Sequence, residues 1–102
     1  MSVEVYRYQF QMSVASEDVE SSLLLALLAT EFLHGETQVR MDAAHYYDAV
    51  QRTCVIDAAT TVGMNLNKLF TGFLRREFGP DSFQVERMDK LPAAIGSPNP
   101  AA

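Results

Sequence analysis

Between residues 3 and 88 the spacing of apolar side chains changes from two to about 3.6, returns to two for two segments, rises to 3.6 again and ends at two. A period of two places alternate side chains on opposite faces of a strand, and a period near 3.6 gathers them on one side of a helix. The order therefore predicts β-α-β-β-α-β, which restricts the chain to sheets whose helices connect or cover the strands.

In the first segment, residues 3–14, Tyr6, Tyr8, Phe10, Met12 and Val14 alternate with Arg7, Gln9, Gln11 and Ser13. The first helix is expected over residues 17–34. Ser16 is placed as its N-cap, Glu17, Asp18 and Glu20 meet the positive end of its dipole, and Gly35 supplies the C-cap. A second strand is expected over residues 36–43, with Val39, Met41 and Ala43 inward and Gln38, Arg40 and Asp42 outward.

Residues 42–49 lack glycine and proline, and read equally as a long hairpin connection, continued strand or one helical turn capped by Asp42. The third strand is expected over residues 50–57, with Val50, Cys54 and Ile56 inward and Arg52 near the sheet edge, its head in solvent. The second helix, residues 59–78, repeats Val62, Leu66, Leu69, Phe70, Phe73, Leu74 and Phe78 at helical spacing. Arg75 and Arg76 suit its negative end, Gly79 its cap, and Pro80 stops it. Gly72 within it points to close approach by another backbone or helix. The last strand, residues 82–88, turns Phe83 and Val85 inward.

This order resembles the ferredoxin-like α+β class: a four-stranded antiparallel sheet built from interlocked βαβ halves, with both helices packed on one face. The resemblance is one of topology, and such folds host many unrelated activities, so function has to be sought in a site. Residues 1–88 are expected to form one α+β domain. Residues 89–102, with three prolines, a glycine and mostly small side chains, are expected to be a flexible or disordered tail.

At 102 residues and 48% hydrophobic content the chain suffices for one core and not for two. Its net charge of −5 opposes attraction to a polyphosphate backbone, so no nucleic-acid partner is expected. The longest strongly apolar run, residues 23–29, is about a third of the ~20 residues that a membrane-spanning helix requires, so no membrane partner is expected either. One cysteine, Cys54, forms no internal disulfide, and the expected location is the cytoplasm.

The first helix carries more apolar surface than one sheet covers. At 100° per residue Val19, Leu23, Ala26 and Leu27 form one stripe, while Leu24, Leu25, Leu28 and Phe32 extend around the back. Either the C-terminal segment folds over that second stripe, or the helix meets a second copy or another protein. Leu24, Leu25, Leu28 and Phe32 are accordingly the candidate oligomer interface.

Two polar groups of residues are candidate ligand sites. With strands one and three taken as parallel neighbours, both helix starts fall along one sheet edge, where Ser13, Ser16, Asp57, Thr60, Thr61 and Gly63 would gather. Free backbone N–H groups and dipole ends there suit a small anion, although Ser16, Asp57 and Thr60 are also ordinary capping residues. The second group is a polar sheet face of Arg7, Gln9, Gln11, Arg40, Asp42 and His45. It is either solvated or encloses a small-molecule ligand between two copies in a dimeric α+β barrel.

No metal site is expected, because neither histidine belongs to an i, i+4 ligand pair and no cysteine pair exists. His34 suits the last helical turn, and His45 falls in the hairpin connection. Cys54, between apolar neighbours, reads as a small hydrophobe. No cofactor is expected and no complete catalytic set is present, so the residues favour a non-catalytic, self-associating interaction module. A small-ligand or small-anion binding protein or enzyme is the alternative.

Overall fold

A computed structural model describes residues 4–88. The expected tail, residues 89–102, and residues 1–3, which begin the expected domain and include the first residue of its expected first strand, lie outside the described residues. The alternating first segment forms strand β1 only over Val5–Phe10: the chain then turns, Val14 N–H donating to the Gln11 carbonyl at 3.1 Å, and Met12, expected inward, is 81% exposed. Helix α1, Ser16–His34, and helix α2, Glu36–Asp42, follow. Strands β2, His45–Asp48, and β3, Thr53–Asp57, come next, then helix α3, Thr61–Phe78. A single 3-10 turn, Pro80–Ser82, leads into strand β4, Phe83–Met88. The result is an α+β fold with one four-stranded antiparallel sheet in the order β2-β3-β1-β4 and three α-helices.

The core lies between the sheet and the helices. Tyr8, Phe10, Cys54, Ile56 and Phe83 supply the sheet side, while Val19, Leu23 and Ala26 of α1 and Leu66, Phe70 and Leu74 of α3 supply the helical side. Tyr8 meets Phe70 edge-on with ring centroids 5.1 Å apart, the oblique geometry that aromatic quadrupoles favour.

Several expectations are corrected. Residues 36–43 form helix α2 rather than a strand. Val39 and Ala43, four residues apart, are both buried, whereas Met41 between them is 72% exposed. Glu36 pairs with Arg40 at 2.6 Å, and Gln38 donates to Asp42, contacts that i, i+4 spacing allows and a strand would separate. An eight-residue stretch with apolar residues at 39, 41 and 43 satisfies either period, and these local pairs favour the helix.

The second strand is therefore His45–Asp48, within the stretch whose conformation the residues left open. The third strand begins only at Thr53. Val50 is 94% exposed in the hairpin turn, where its N–H and that of Gln51 donate to Asp48 Oδ1 at 3.0 and 3.1 Å. Arg52 takes φ 56° and folds its guanidinium back onto the chain, where Nη1 donates to the Val14 carbonyl at 2.5 Å. It thereby ties the β2–β3 hairpin to the segment between β1 and α1.

Strands β1 and β3 run antiparallel, with Val5 opposite Asp57 and Gln9 opposite Thr53. The starts of α1 and α3 consequently lie at opposite ends of the sheet. Finally, Gly72 is exposed and a Cβ there would meet nothing within 4 Å, so among the described residues no backbone or helix packs against that position. Gly63 is the closely packed glycine of α3: an added Cβ would run into the Asp57 carbonyl.

Smaller shifts follow capping chemistry. The N-cap of α1 is Ala15 rather than Ser16, and its carbonyl accepts from Asp18 and Val19 N–H at 3.1 and 3.2 Å. Thr60 caps α3, its Oγ1 accepting from Gly63 N–H at 2.9 Å. Gly35 and Gly79 end α1 and α3, both at φ 87°, a region open to glycine at little cost. Among the described residues, no helix is long and apolar enough to cross a membrane.

Candidate functional site

Helix α1 is apolar on two opposite sides. Val19, Leu23, Ala26 and Thr30 are buried against the rest of the fold. Leu24, Leu25 and Leu28 are exposed on the other side, and Phe32 is 89% exposed. The two groups stand roughly 180° apart at 100° per residue. The fold thus brings the four candidate interface residues together as one outer ridge. Their combined apolar area is on the scale of the roughly 300–600 Å² that the largest patch on a monomer reaches.

Open grooves flank that ridge. One, of about 360 Å³, lies between α1 and the α2–β2 segment, lined by Leu24, Leu27 and Leu28 on one wall and Val39, Arg40, Ala43 and His45 on the other, with Glu31 at its rim. The second, of about 320 Å³, lies between α1 and α3 and carries Asp18, Ser21 and Leu25 opposite Phe73, Arg76 and Glu77. The first groove was not legible in the sequence, because its far wall depends on residues 36–42 being helical. The period of Val39 and Ala43 is the signal that would have revealed it.

The charges around the ridge divide by element. Helix α1 contributes Glu17, Asp18, Glu20 and Glu31 and neither lysine nor arginine. Arg40 and Arg76 sit on the opposite walls of the two grooves. None of the four α1 carboxylates forms a salt bridge among the described residues; Arg40 pairs only with Glu36.

The six residues expected at a common helix-start edge do not assemble. Ser13 and Ser16 lie at the start of α1, whereas Asp57, Thr60, Thr61 and Gly63 lie at the start of α3, at the other end of the sheet. Around α3, Asp57 and Thr60 already spend side-chain oxygens within the fold. Asp57 Oδ1 accepts from Ala59 N–H at 2.9 Å, and Thr60 Oγ1 both accepts from Gly63 N–H and donates to the Asp42 carbonyl at 2.8 Å. A carboxylate already holds the position that an anion would occupy.

The polar sheet face is divided as well. Arg7 and Gln9 lie on the face turned away from the helices, beside Thr53, Val55, Gln84 and Glu86. Gln11 lies beyond β1 and donates to the Asp81 carbonyl at 2.8 Å. Arg40 and Asp42 belong to α2, and His45 lies on the helix side of β2 opposite Ile56. His45 Nδ1 donates to the Ala43 carbonyl at 2.9 Å.

On the open face Arg7 donates to Gln9 Oε1 at 3.1 Å and reaches Glu86 Oε1 at 3.5 Å, while Gln9 Nε2 donates to the Gln51 carbonyl at 3.0 Å. These side chains spend their hydrogen bonds on one another and on the hairpin. A shallow cavity of about 230 Å³ between Arg7, Tyr46, Asp48 and Met88 remains on that face. Its aromatic, Tyr46, is on edge strand β2 rather than on the central strands where stacked bases would lie.

Two buried ionisable groups sit in the core. Burial pushes the Tyr8 hydroxyl up to about 12, a hydrogen bond from Thr71 works against this, and the neighbouring Cys54 and Tyr6 add to it. Burial alone pushes the Cys54 thiol up to about 12, which keeps it protonated and unreactive at neutral pH. His34 Nε2 accepts from Asn65 Nδ2 at 2.7 Å, joining the end of α1 to α3. Among the described residues no three His, Cys, Asp or Glu side chains converge as metal ligands would.

Compared with protein-family models, with curated proteins and with solved structures, the chain matches none.

Proposed function

We propose that this chain is a non-catalytic interaction module that self-associates through the outer face of α1. One observation carries the reading: α1 is apolar on both sides, and the fold covers only one of them. Covering the ridge of Leu24, Leu25, Leu28 and Phe32 removes apolar area from water at about 25 cal/mol per Å² before the costs of association are subtracted. The ferredoxin-like reading of the fold belongs to the same proposal. It is supported by the order β2-β3-β1-β4 with α1 and α3 packed together, α2 being an addition between α1 and β2. The proposed setting is the cytoplasm, on the strength of a single, buried free cysteine.

The test is solution mass by light scattering or sedimentation from low to high micromolar concentration. The wild-type chain is expected to associate, and Leu28→Asp and Phe32→Asp are expected to be monomeric. Because both side chains are exposed in the protomer, each substitution should alter the unfolding free energy of the monomer by no more than about 0.5 kcal/mol. A wild-type chain that stays monomeric at high micromolar concentration refutes the proposal.

A further inference from the structure

We infer that the occupant of the groove between α1 and α2 is the α1 ridge of a second copy, laid antiparallel across a two-fold axis near Leu24 and Leu28. The inference rests on the self-association proposed above and adds its geometry. In an isologous interface the same patch serves both subunits, so the patch must be complementary to itself in shape and in charge. Here the ridge and the groove share one wall: Leu24 and Leu28 belong to the ridge and also line the groove of about 360 Å³. A ridge of side chains seated in the groove beside a partner's helix is the ordinary way in which helices pack.

Charge selects both the occupant and the direction. The ridge helix carries four carboxylates and neither lysine nor arginine, with His34 in its last turn, and the far wall of the groove carries Arg40 beside His45. Glu20 lies on the same flank of α1 as Leu24, Leu27 and Glu31, the flank that faces this groove. A parallel arrangement would set the Glu17, Asp18 and Glu20 cluster of one copy against the identical cluster of the other. An antiparallel arrangement instead brings each Glu20 toward Arg40 of the partner subunit, twice per dimer. Arg40 is available for this, since its side chain is 77% exposed and its bond to Glu36 is a surface pair of small value. The ridge alone falls short of the roughly 800 Å² per partner of a standard interface, and the α2 wall supplies area that the ridge lacks.

Charge reversal in the full-length chain tests the geometry separately from the association itself. Glu20→Arg and Arg40→Glu should each raise the dimer dissociation constant by about tenfold at low salt, and combining them should restore it, because opposite charges again face each other. Glu20→Gln also distinguishes the directions: it weakens an antiparallel dimer and strengthens a parallel one. Melting temperatures of the variants confirm that the protomer is intact. If Leu28→Asp abolishes association but the two reversals have no effect, or the double variant fails to recover, the antiparallel pairing is overturned while self-association through α1 stands. If the wild-type chain does not associate at all, both fall.

Discussion

The Tyr8 hydroxyl donates to Asn67 Oδ1 at 2.5 Å and lies 2.6 Å from Thr71 Oγ1, so central strand β1 is bonded through the core to α3. Tyr8 is fully buried, and its ring also contacts Phe10, Phe70 and Phe83. Polar atoms at such a place need their partners, since an unsatisfied buried group costs more than the bond itself contributes. Tyr8→Phe should therefore destabilise the protein by about 1–3 kcal/mol. A double-mutant cycle with Asn67→Ala, read by urea unfolding, should show positive coupling between the two positions. Additive effects would mean that the bond contributes nothing specific.

The same burial sets the response to alkali. The folded chain holds the protons of Tyr8 and Cys54 up to about pH 12, whereas the unfolded chain releases them near 10.0 and 9.0. Unfolding is then accompanied by proton release above pH 9, and the stability that is fully present below that value is lost as pH rises toward 12. For Tyr8 alone, a change from 10.0 to about 12 corresponds to on the order of 2–3 kcal/mol. Urea midpoints measured from neutral to strongly alkaline pH should fall, and the fall should be shallower in Tyr8→Phe.

Cys54 should be silent toward a thiol reagent such as a dithiobisbenzoate in the native state at pH 8 and react fully in denaturant. Its side chain is buried on β3 and its thiolate fraction is negligible at that pH. Rapid native-state labelling would show that β3 opens locally.

Two glycines in one helix should respond to alanine with opposite signs. Gly72 is exposed with open space around it, so Gly72→Ala should stabilise by about 0.5–1 kcal/mol through helix propensity. Gly63 packs against the Asp57 carbonyl, so Gly63→Ala should destabilise by about 1–3 kcal/mol or more. Thermal melts of the two variants, moving in opposite directions from wild type, check both.

Thr60 and Ser16 provide a comparable contrast at the helix starts. Thr60→Ala removes a cap bond to Gly63 and a bond to the Asp42 carbonyl, and should cost about 1–2 kcal/mol. Ser16 is not the cap of α1, so Ser16→Ala should fall within about 0.5 kcal/mol of wild type. Equal losses in chemical denaturation would contradict the capping assignment.

The parts of the fold that were legible in the sequence are those whose patterns run long. The alternation around Tyr8, of which the six residues Val5–Phe10 form β1, the nineteen residues of α1 and the eighteen of α3 each offer repeated chances for one period to exclude the other. Residues 36–43 offer too few, and the contacts that decide them, Glu36 to Arg40 and the burial of Val39 and Ala43, are partly tertiary. Arg52 was misplaced for a related reason: its partners, the Gln11 and Val14 carbonyls, lie about forty residues away and are brought near only by the sheet. The candidate ligand groups dissolved with the strand directions and with α2. The candidate interface kept its four residues on one exposed ridge.

Local pattern therefore determined the two long helices, the first and last strands in chain order and the double-sided character of α1, because hydrophobic period is a property of consecutive residues. Only the tertiary structure decided which side of α1 is covered, that β1 and β3 run antiparallel, and that α2 forms a wall beside the bare ridge. Those outcomes depend on which distant surfaces meet, and the free energy of burial that selects among them is summed over the whole core rather than over any one segment.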